Sequence, residues 1–278
     1  MIEIRDLTYT YPRAESPAIS HINLRIEEGE FVILTGPSGC GKTTLCRCLN
    51  GLIPNFYGGV INGSVSIAGL DTSAHRTNEL SQHVGFVFQN PENQLFSLSA
   101  ERDVAFGLEN LATPRDEIRR RVDWALQVLG ISNLRERSPQ ELSGGEQQKV
   151  ALACVIAMKP KIMILDEPTS HLDPLSAKSI LEVIGRLNRE QRITVILVEQ
   201  RLDLVAKYAT RILVMLDGRI KSDGAPRTVL ARSLKELECL DIPKFTRLHC
   251  ILAQEKILTL PVSLSAEELS RKLRGALS

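Results

Sequence analysis

The chain has 278 residues, and its 34 Lys+Arg against 33 Asp+Glu leave a formal charge of +1, so no global field draws it to nucleic acid or to anionic lipid. That length accommodates one large domain with a small appendage. The six cysteines lack the paired spacing of a zinc site even though Cys46 and Cys48 lie close together, which fits a reduced thiol inventory better than a metal site or disulfide framework.

In chain order, Met1 to Arg5 reads as an edge strand rather than a signal peptide. Ile2 to Tyr9 and His21 to Ile26 alternate apolar and polar residues, which predicts half-buried antiparallel strands joined by a Pro-bearing loop. Apolar runs at 31–35, 84–88, 162–166, 193–198 and 211–216 alternate with helical segments, the pattern of a parallel α/β sheet with its ligand at the strands' carboxyl ends. Between Pro114 and Gly130, Ile118, Val122, Ala125, Leu126 and Leu129 share one helical face, while Arg119, Arg120 and Arg121 solvate another. The longest apolar stretch, Val150 to Met158, is too short to span a bilayer. Asp217-Gly218-Arg219 signals a hairpin turn. Beyond Gly224 the composition becomes more charged, with helices expected over Arg227 to Leu240 and Leu264 to Leu277. A division into residues 1–224 and 225–278 follows, with His249 and Cys250 packed rather than metal-bound.

Two stretches carry the chemistry. Gly36-Pro37-Ser38-Gly39-Cys40-Gly41-Lys42-Thr43-Thr44 fits G-x-x-x-x-G-K-[ST] and sits between the Phe31-Val32-Ile33-Leu34 run and a helix starting at Lys42. Its glycines let consecutive N–H groups face a polyphosphate, and the helix N-terminus adds partial positive charge. Lys42 is expected to reach the β- and γ-phosphates of ATP, and Thr43 to ligate Mg²⁺. Cys40, beside Lys42 and a helix N-terminus, meets conditions that favour thiolate, so alkylation there is expected to block ATP binding. Farther on, Ile162-Met163-Ile164-Leu165 delivers two adjacent acids. Neighbouring side chains of an extended segment point to opposite sides, so Asp166 is assigned to the Mg²⁺ shell and Glu167 to the attacking water.

Between these stretches lies Leu142-Ser143-Gly144-Gly145-Glu146-Gln147, which resembles the signature of the ATP-binding cassette family. The resemblance implies an α/β fold: a P-loop ATPase core with a parallel sheet, an antiparallel β subdomain, a helical signature subdomain and a small C-terminal extension. Ser143, Gly144, Gly145 and Glu146 would then open a helix whose N-terminus meets the γ-phosphate held by an opposing subunit, making a homo- or heterodimer of cassettes. Gln89 matches the loop glutamine that senses Mg²⁺ and the membrane partner, and Asp173 the loop that crosses the dimer interface. Tyr11 falls where an aromatic stacks on adenine, with Tyr9 a nearby competitor. His171 departs from the small residue usual at its position. Gln200 replaces the usual histidine, and an amide donates a hydrogen bond without carrying charge or shuttling a proton. Hydrolysis is then expected to be slower, or this cassette to be the less active half of an unequal pair.

Gln89-Asn90-Pro91-Glu92-Asn93-Gln94-Leu95-Phe96, followed by Glu101-Arg102-Asp103-Val104-Ala105-Phe106, looks like the cobalt-type, or energy-coupling factor, branch. Glu199 and Arg201 support that assignment and Gln200 disturbs it. The branch implies an importer of vitamins or transition-metal ions with an integral membrane coupling subunit, a substrate-capturing membrane subunit and a place at the cytoplasmic face of the membrane. Gln94 is implicated in the groove for the coupling subunit. The absence of long heptads and of a second phosphate loop disfavours the competing reading, a soluble ATP-driven clamp on nucleic acid or the ribosome.

Overall fold

The computed structural model describes residues 1–170, 172–236, 240–259 and 261–277, so His171 and Cys239 lie outside the described residues. Among these residues the strands form two sheets. The first is antiparallel: β1 (Ile2–Thr10) pairs with β2 (Ile19–Ile26) on one side and β4 (Val60–Ile67) on the other, and β5 (Leu70–Asp71) extends β4. The opening segment is therefore an interior strand and not the edge strand its position suggested. The register Ile2↔Ile26 and Ile2↔Ile67 shows why: the same alternating strand satisfies backbone partners on both sides.

The second sheet runs in the order β10 (Arg219–Gly224), β9 (Arg211–Leu216), β3 (Phe31–Thr35), β8 (Thr194–Val198), β7 (Ile162–Asp166), β6 (Val84–Val87). β9, β3, β8, β7 and β6 are parallel and β10 returns antiparallel through the expected Asp217-Gly218 turn. Period-two alternation splits each central strand between two cores. Phe31, Ile33, Met163, Leu165, Val195 and Leu197 join the core shared with the helices, whereas Val32, Leu34, Ile162, Ile164, Ile196 and Val198 join the core under the antiparallel sheet. Both faces being covered, these runs are apolar throughout, at roughly 1.5–3 kcal/mol per large side chain buried.

The helices follow. α1 (Lys42–Leu49) leaves the end of β3 and packs beneath β4, with the short α2 (Leu52–Asn55) and α3 (Thr77–Leu80) leading on to β6. α4 (Ala100–Asn110), α5 (Arg115–Val128) and α6 (Gly144–Ala157) pack on one another, with Val122, Ala125 and Leu126 turned inward as the helical face predicted. α7 (Pro174–Gln191) and the single-turn α8 (Leu202–Val205) flank β8 in sequence. α9 (Pro226–Glu236), α10 (Lys244–Gln254) and α11 (Ala266–Leu277) follow β10. Val229, Leu230, Leu240 and Ile242 enter the helix-side core, so the C-terminal segment is anchored to the sheet. His249 is buried and packed as expected: Nε2 donates to the Thr259 carbonyl at 3.0 Å, and Nδ1 pairs with the Ser263 hydroxyl at 3.0 Å. No helix among the described residues is long and apolar enough to cross a membrane.

Candidate functional site

The carboxyl ends of β3, β6, β7 and β8 converge on one site. After β3, Gly36 takes φ 144°, and a Cβ there would sit 2.1 Å from the carbonyl oxygen of Met215 on β9. Only glycine lets the loop lie this close to the neighbouring strand. Gly41, at φ 101°, opens α1 without any side-chain cap, leaving the first N–H groups of the helix for an anion. Lys42 is buried, and its ammonium donates to the carbonyls of Gly36 at 2.8 Å and Pro37 at 2.9 Å. A polyanion entering the loop would compete with those two carbonyls for it. Ser38 and Gly39 are exposed at the rim. Cys40 is 5% exposed and belongs to the core, its sulfur 3.9 Å from Lys42 Nζ, so an alkylating reagent meets a buried thiol and not an open one.

At the end of β7 the two acids separate as alternation requires. Asp166 is buried and hydrogen-bonded to the Thr43 side chain; burial pushes its carboxyl above the usual range, and the charge of Glu167 adds to that, while Thr43 opposes it. Glu167 turns out toward solvent from a left-handed backbone, φ 48°. Its Oε1 accepts from Gln200 Nε2 at 2.7 Å and its Oε2 from Gln89 Nε2 at 3.1 Å. Thus Lys42, Thr43, Asp166, Glu167, Gln89 and Gln200, drawn from four strand ends, form one connected site.

Glu199, named above only as a mark of the branch, has a structural role. Glu199 is buried, accepts from the Thr169 hydroxyl, and receives the backbone N–H groups of Gln200 at 2.9 Å and Arg201 at 3.0 Å. Arg201 in turn donates to the Thr169 carbonyl at 2.5 Å. An acid directly after an uninterrupted apolar strand was the available signal: buried there, it needed partners. Gln94 also has partners within its own loop. Its amide is stitched to the end of β6, donating to the Phe86 carbonyl at 3.3 Å and accepting from the Phe88 N–H at 3.3 Å, so it braces the loop that carries Gln89.

Of the two tyrosines, Tyr9 is fully buried with its hydroxyl on the Gly58 carbonyl at 2.8 Å, which removes it as a stacking platform. Tyr11 is half-buried beside the loop, its hydroxyl 3.1 Å from Thr44 Oγ1 and 3.3 Å from Arg47 Nη1. Tyr57 joins this edge, with the Arg47 guanidinium 4.5 Å from its ring centroid.

The signature segment stands apart. Ser143 is exposed at the N-cap of α6 in a capping box: its N–H and hydroxyl donate to Glu146 Oε2 at 2.9 and 2.8 Å, and the Glu146 N–H returns to Ser143 Oγ at 3.4 Å. The Ser143 backbone bond is the main cause holding the Glu146 carboxyl below its usual range. Gly144 and Gly145 begin the helix, and these hydrogen bonds stay within the segment. Asp173 caps α7 through the N–H groups of Leu175 at 2.9 Å and Ser176 at 3.1 Å, with the Leu175 side chain 80% exposed beside it.

Comparison with known proteins points to one family. The family model described as ABC transporter matches residues 19–170. A Methanosarcina mazei relative, provisionally named an ABC transporter ATP-binding protein, is 46% identical over 87% of this chain, which spans 41% of that relative's length. A Bacillus subtilis relative carrying the provisional name HMP/thiamine import ATP-binding protein is 39% identical over 98% of this chain, which spans 49% of it. Among solved structures, cbiO1 of Clostridium perfringens, part of the ABC transporter complex cbiONQ, superposes with a TM-score of 0.73 at 34% identity, covering 85% of this chain and 95% of that one. The ATP-binding cassette MJ0796, solved as a dimer in a post-hydrolysis state with ADP and Pi, gives a TM-score of 0.71 at 30% identity over 82% of this chain and 99% of that one.

Proposed function

We propose, from the premise that this chain belongs to the ABC transporter family and is an ATP-hydrolysing transporter ATPase, that it powers an importer of the energy-coupling factor type. The observation that carries the chemical reading is the convergence of the uncapped α1 N-terminus, Lys42, the Thr43–Asp166 pair and Glu167 at the ends of adjacent parallel strands. ATP would lie with its phosphates on the N–H groups of 36–44 and its adenine against Tyr11.

The donor set fits Mg²⁺. Thr43 and Asp166 present hard oxygens to one another, and Gln89 Oε1 remains available because its Nε2 is the atom engaged with Glu167. No cluster of three or more His, Cys, Asp or Glu able to hold a metal occurs among the described residues, which suits an ion shared with substrate phosphates and water. When bound there, the ion would supply charge neutralisation at the β- and γ-phosphate oxygens. Lys42 then offsets further negative charge on the γ-phosphate, and Glu167 orients a water for in-line attack and draws its proton.

The outer side of a bound γ-phosphate would call for a further donor. A second cassette would supply one through its Ser143, Gly144 and Gly145, with Asp173 and the exposed Leu175 at the junction. Residues 1–224 would constitute the ATPase and residues 225–278 its extension. Membership of cbiO1 in a transporter complex and the import assignment of the Bacillus relative support a membrane coupling subunit, a substrate-capturing subunit and a station on the cytoplasmic face, with a vitamin or transition-metal ion as cargo. Affinity purification of the Glu167→Gln chain from gently solubilised native membranes in Mg-ATP, followed by mass spectrometry, tests this. Multi-span membrane subunits should copurify. Soluble partners alone would overturn the importer and favour a soluble clamp.

A further inference from the structure

Arg47 is the basic residue in the last turn of α1, where a cation offsets the helix dipole. Its contacts do more than that. Among the described residues the guanidinium has two partners at hydrogen-bond or ring distance, and both are tyrosines: Nη1 donates to the Tyr11 hydroxyl at 3.3 Å, and the group lies 4.5 Å from the Tyr57 ring centroid. Its Nε is buried without a hydrogen-bond partner, so the group is placed by its flat face and one N–H and not by a full set of hydrogen bonds. Tyr11 is fixed from the other sides as well. Its ring meets Tyr9 edge-on at 4.9 Å and Tyr57 at 6.4 Å, and its hydroxyl is 3.1 Å from Thr44 Oγ1, which lies three residues before Arg47 and on the same face of α1. Tyr57 follows α2, and that turn is pinned by Asn55, whose Nδ2 donates to the carbonyls of Thr72 at 3.2 Å and His75 at 3.1 Å.

We propose that Arg47 is a positioning residue for the adenine end of the nucleotide site, locking Tyr11 and Tyr57 into one aromatic edge against α1. The helix that offers its N-terminus to the phosphates then also sets, from its last turn, where the base is received. A guanidinium suits the task because it is planar: it stacks on a ring face and still presents N–H groups in its own plane, which a lysine ammonium does not. One face of Tyr57 is taken by Arg47, so Tyr57 buttresses the edge, and Tyr11 is the ring that Arg47 acts through.

This proposal rests on the reading above that adenine lies against Tyr11, and the experiment separates the two. Isothermal titration calorimetry on the full chain with Mg²⁺ measures affinity for ATP and for inorganic tripolyphosphate. The proteins compared are native, Arg47→Ala, Arg47→Lys, Tyr11→Ala and the double variant Arg47→Ala/Tyr11→Ala. Arg47→Ala should weaken ATP binding about threefold and leave tripolyphosphate binding unchanged, since only the base end is disturbed. Arg47→Lys keeps the charge at the helix end without the flat stack and should lose ATP affinity by a similar factor. The double variant should bind ATP no more weakly than Tyr11→Ala, at a loss of about fivefold, because the arginine acts through that ring. Native ATP affinity in Arg47→Ala or Arg47→Lys would overturn the proposal and leave Arg47 a helix-end charge. Equal losses for ATP and tripolyphosphate, or additive losses in the double variant, would overturn it by placing Arg47 on the phosphate loop or on the nucleotide itself. Native ATP affinity in Tyr11→Ala would remove the adenine assignment, and the proposal with it.

Discussion

Two helix N-termini in this chain carry the pattern of a phosphate site, and they are built in opposite ways. α1 opens at Gly41 with no side-chain cap, against a loop whose Gly36, Cys40 and Lys42 are buried. α6 opens at the exposed Ser143, whose N–H and hydroxyl are both taken by Glu146 of the same turn. The first keeps free donors because the surrounding core holds them in place. The second ties its Ser143 donors and the Glu146 N–H within one turn, and under the proposed function a docking cassette would engage that turn.

The sharpest break between the two regions should come from Glu167. Glu167→Gln is expected to lower hydrolysis at least about a hundredfold while nucleotide binding persists, read by phosphate release against equilibrium binding of a fluorescent ATP analogue. Next, Ser143→Arg should suppress turnover of the assembled complex about tenfold or more yet leave ATP affinity of the isolated chain unchanged. A fall in that isolated-chain affinity would mean the signature helix serves its own chain's nucleotide. Asp166 offers a smaller effect with a definite sign. Burial raises its carboxyl above 3.8, so its proton is favoured in the folded state, and the stability this contributes is lost as pH rises through the raised value. Asp166→Asn should therefore raise the Tm of the nucleotide-free chain at pH 7 and abolish the further rise that Mg-ATP gives the native protein, both read by differential scanning calorimetry. The smallest effect belongs to the aromatic edge: Tyr11→Ala should weaken ATP binding by about 1 kcal/mol, roughly fivefold, whereas Tyr9→Phe should leave it unchanged.

The phosphate loop, the five buried strands and the split between Asp166 and Glu167 were legible because each depends on local pattern: glycine spacing, uninterrupted apolar runs and period-two alternation. What stayed hidden depends on which strands become neighbours. The edge or interior status of β1 is decided by Val60–Ile67, a strand whose exposed face gives weak alternation. Tyr9, within β1, is buried with its hydroxyl on the Gly58 carbonyl, whereas Tyr11 lies just beyond the end of that strand. The partners of Gln94 and Glu199 appear only once the loops after β6 and β8 are in place. The contact of Gln200 with Glu167 is likewise a product of β7 and β8 lying side by side.

The measurement that bears most directly on a site shared between cassettes is the mass, by light scattering, of the purified Glu167→Gln chain with and without Mg-ATP, alone and with any second cassette that copurifies. A mass of two cassettes should form only with Mg-ATP and should be lost when Ser143→Arg is added. A single cassette that saturates with Mg-ATP and keeps its monomeric mass in every mixture would contradict the shared site.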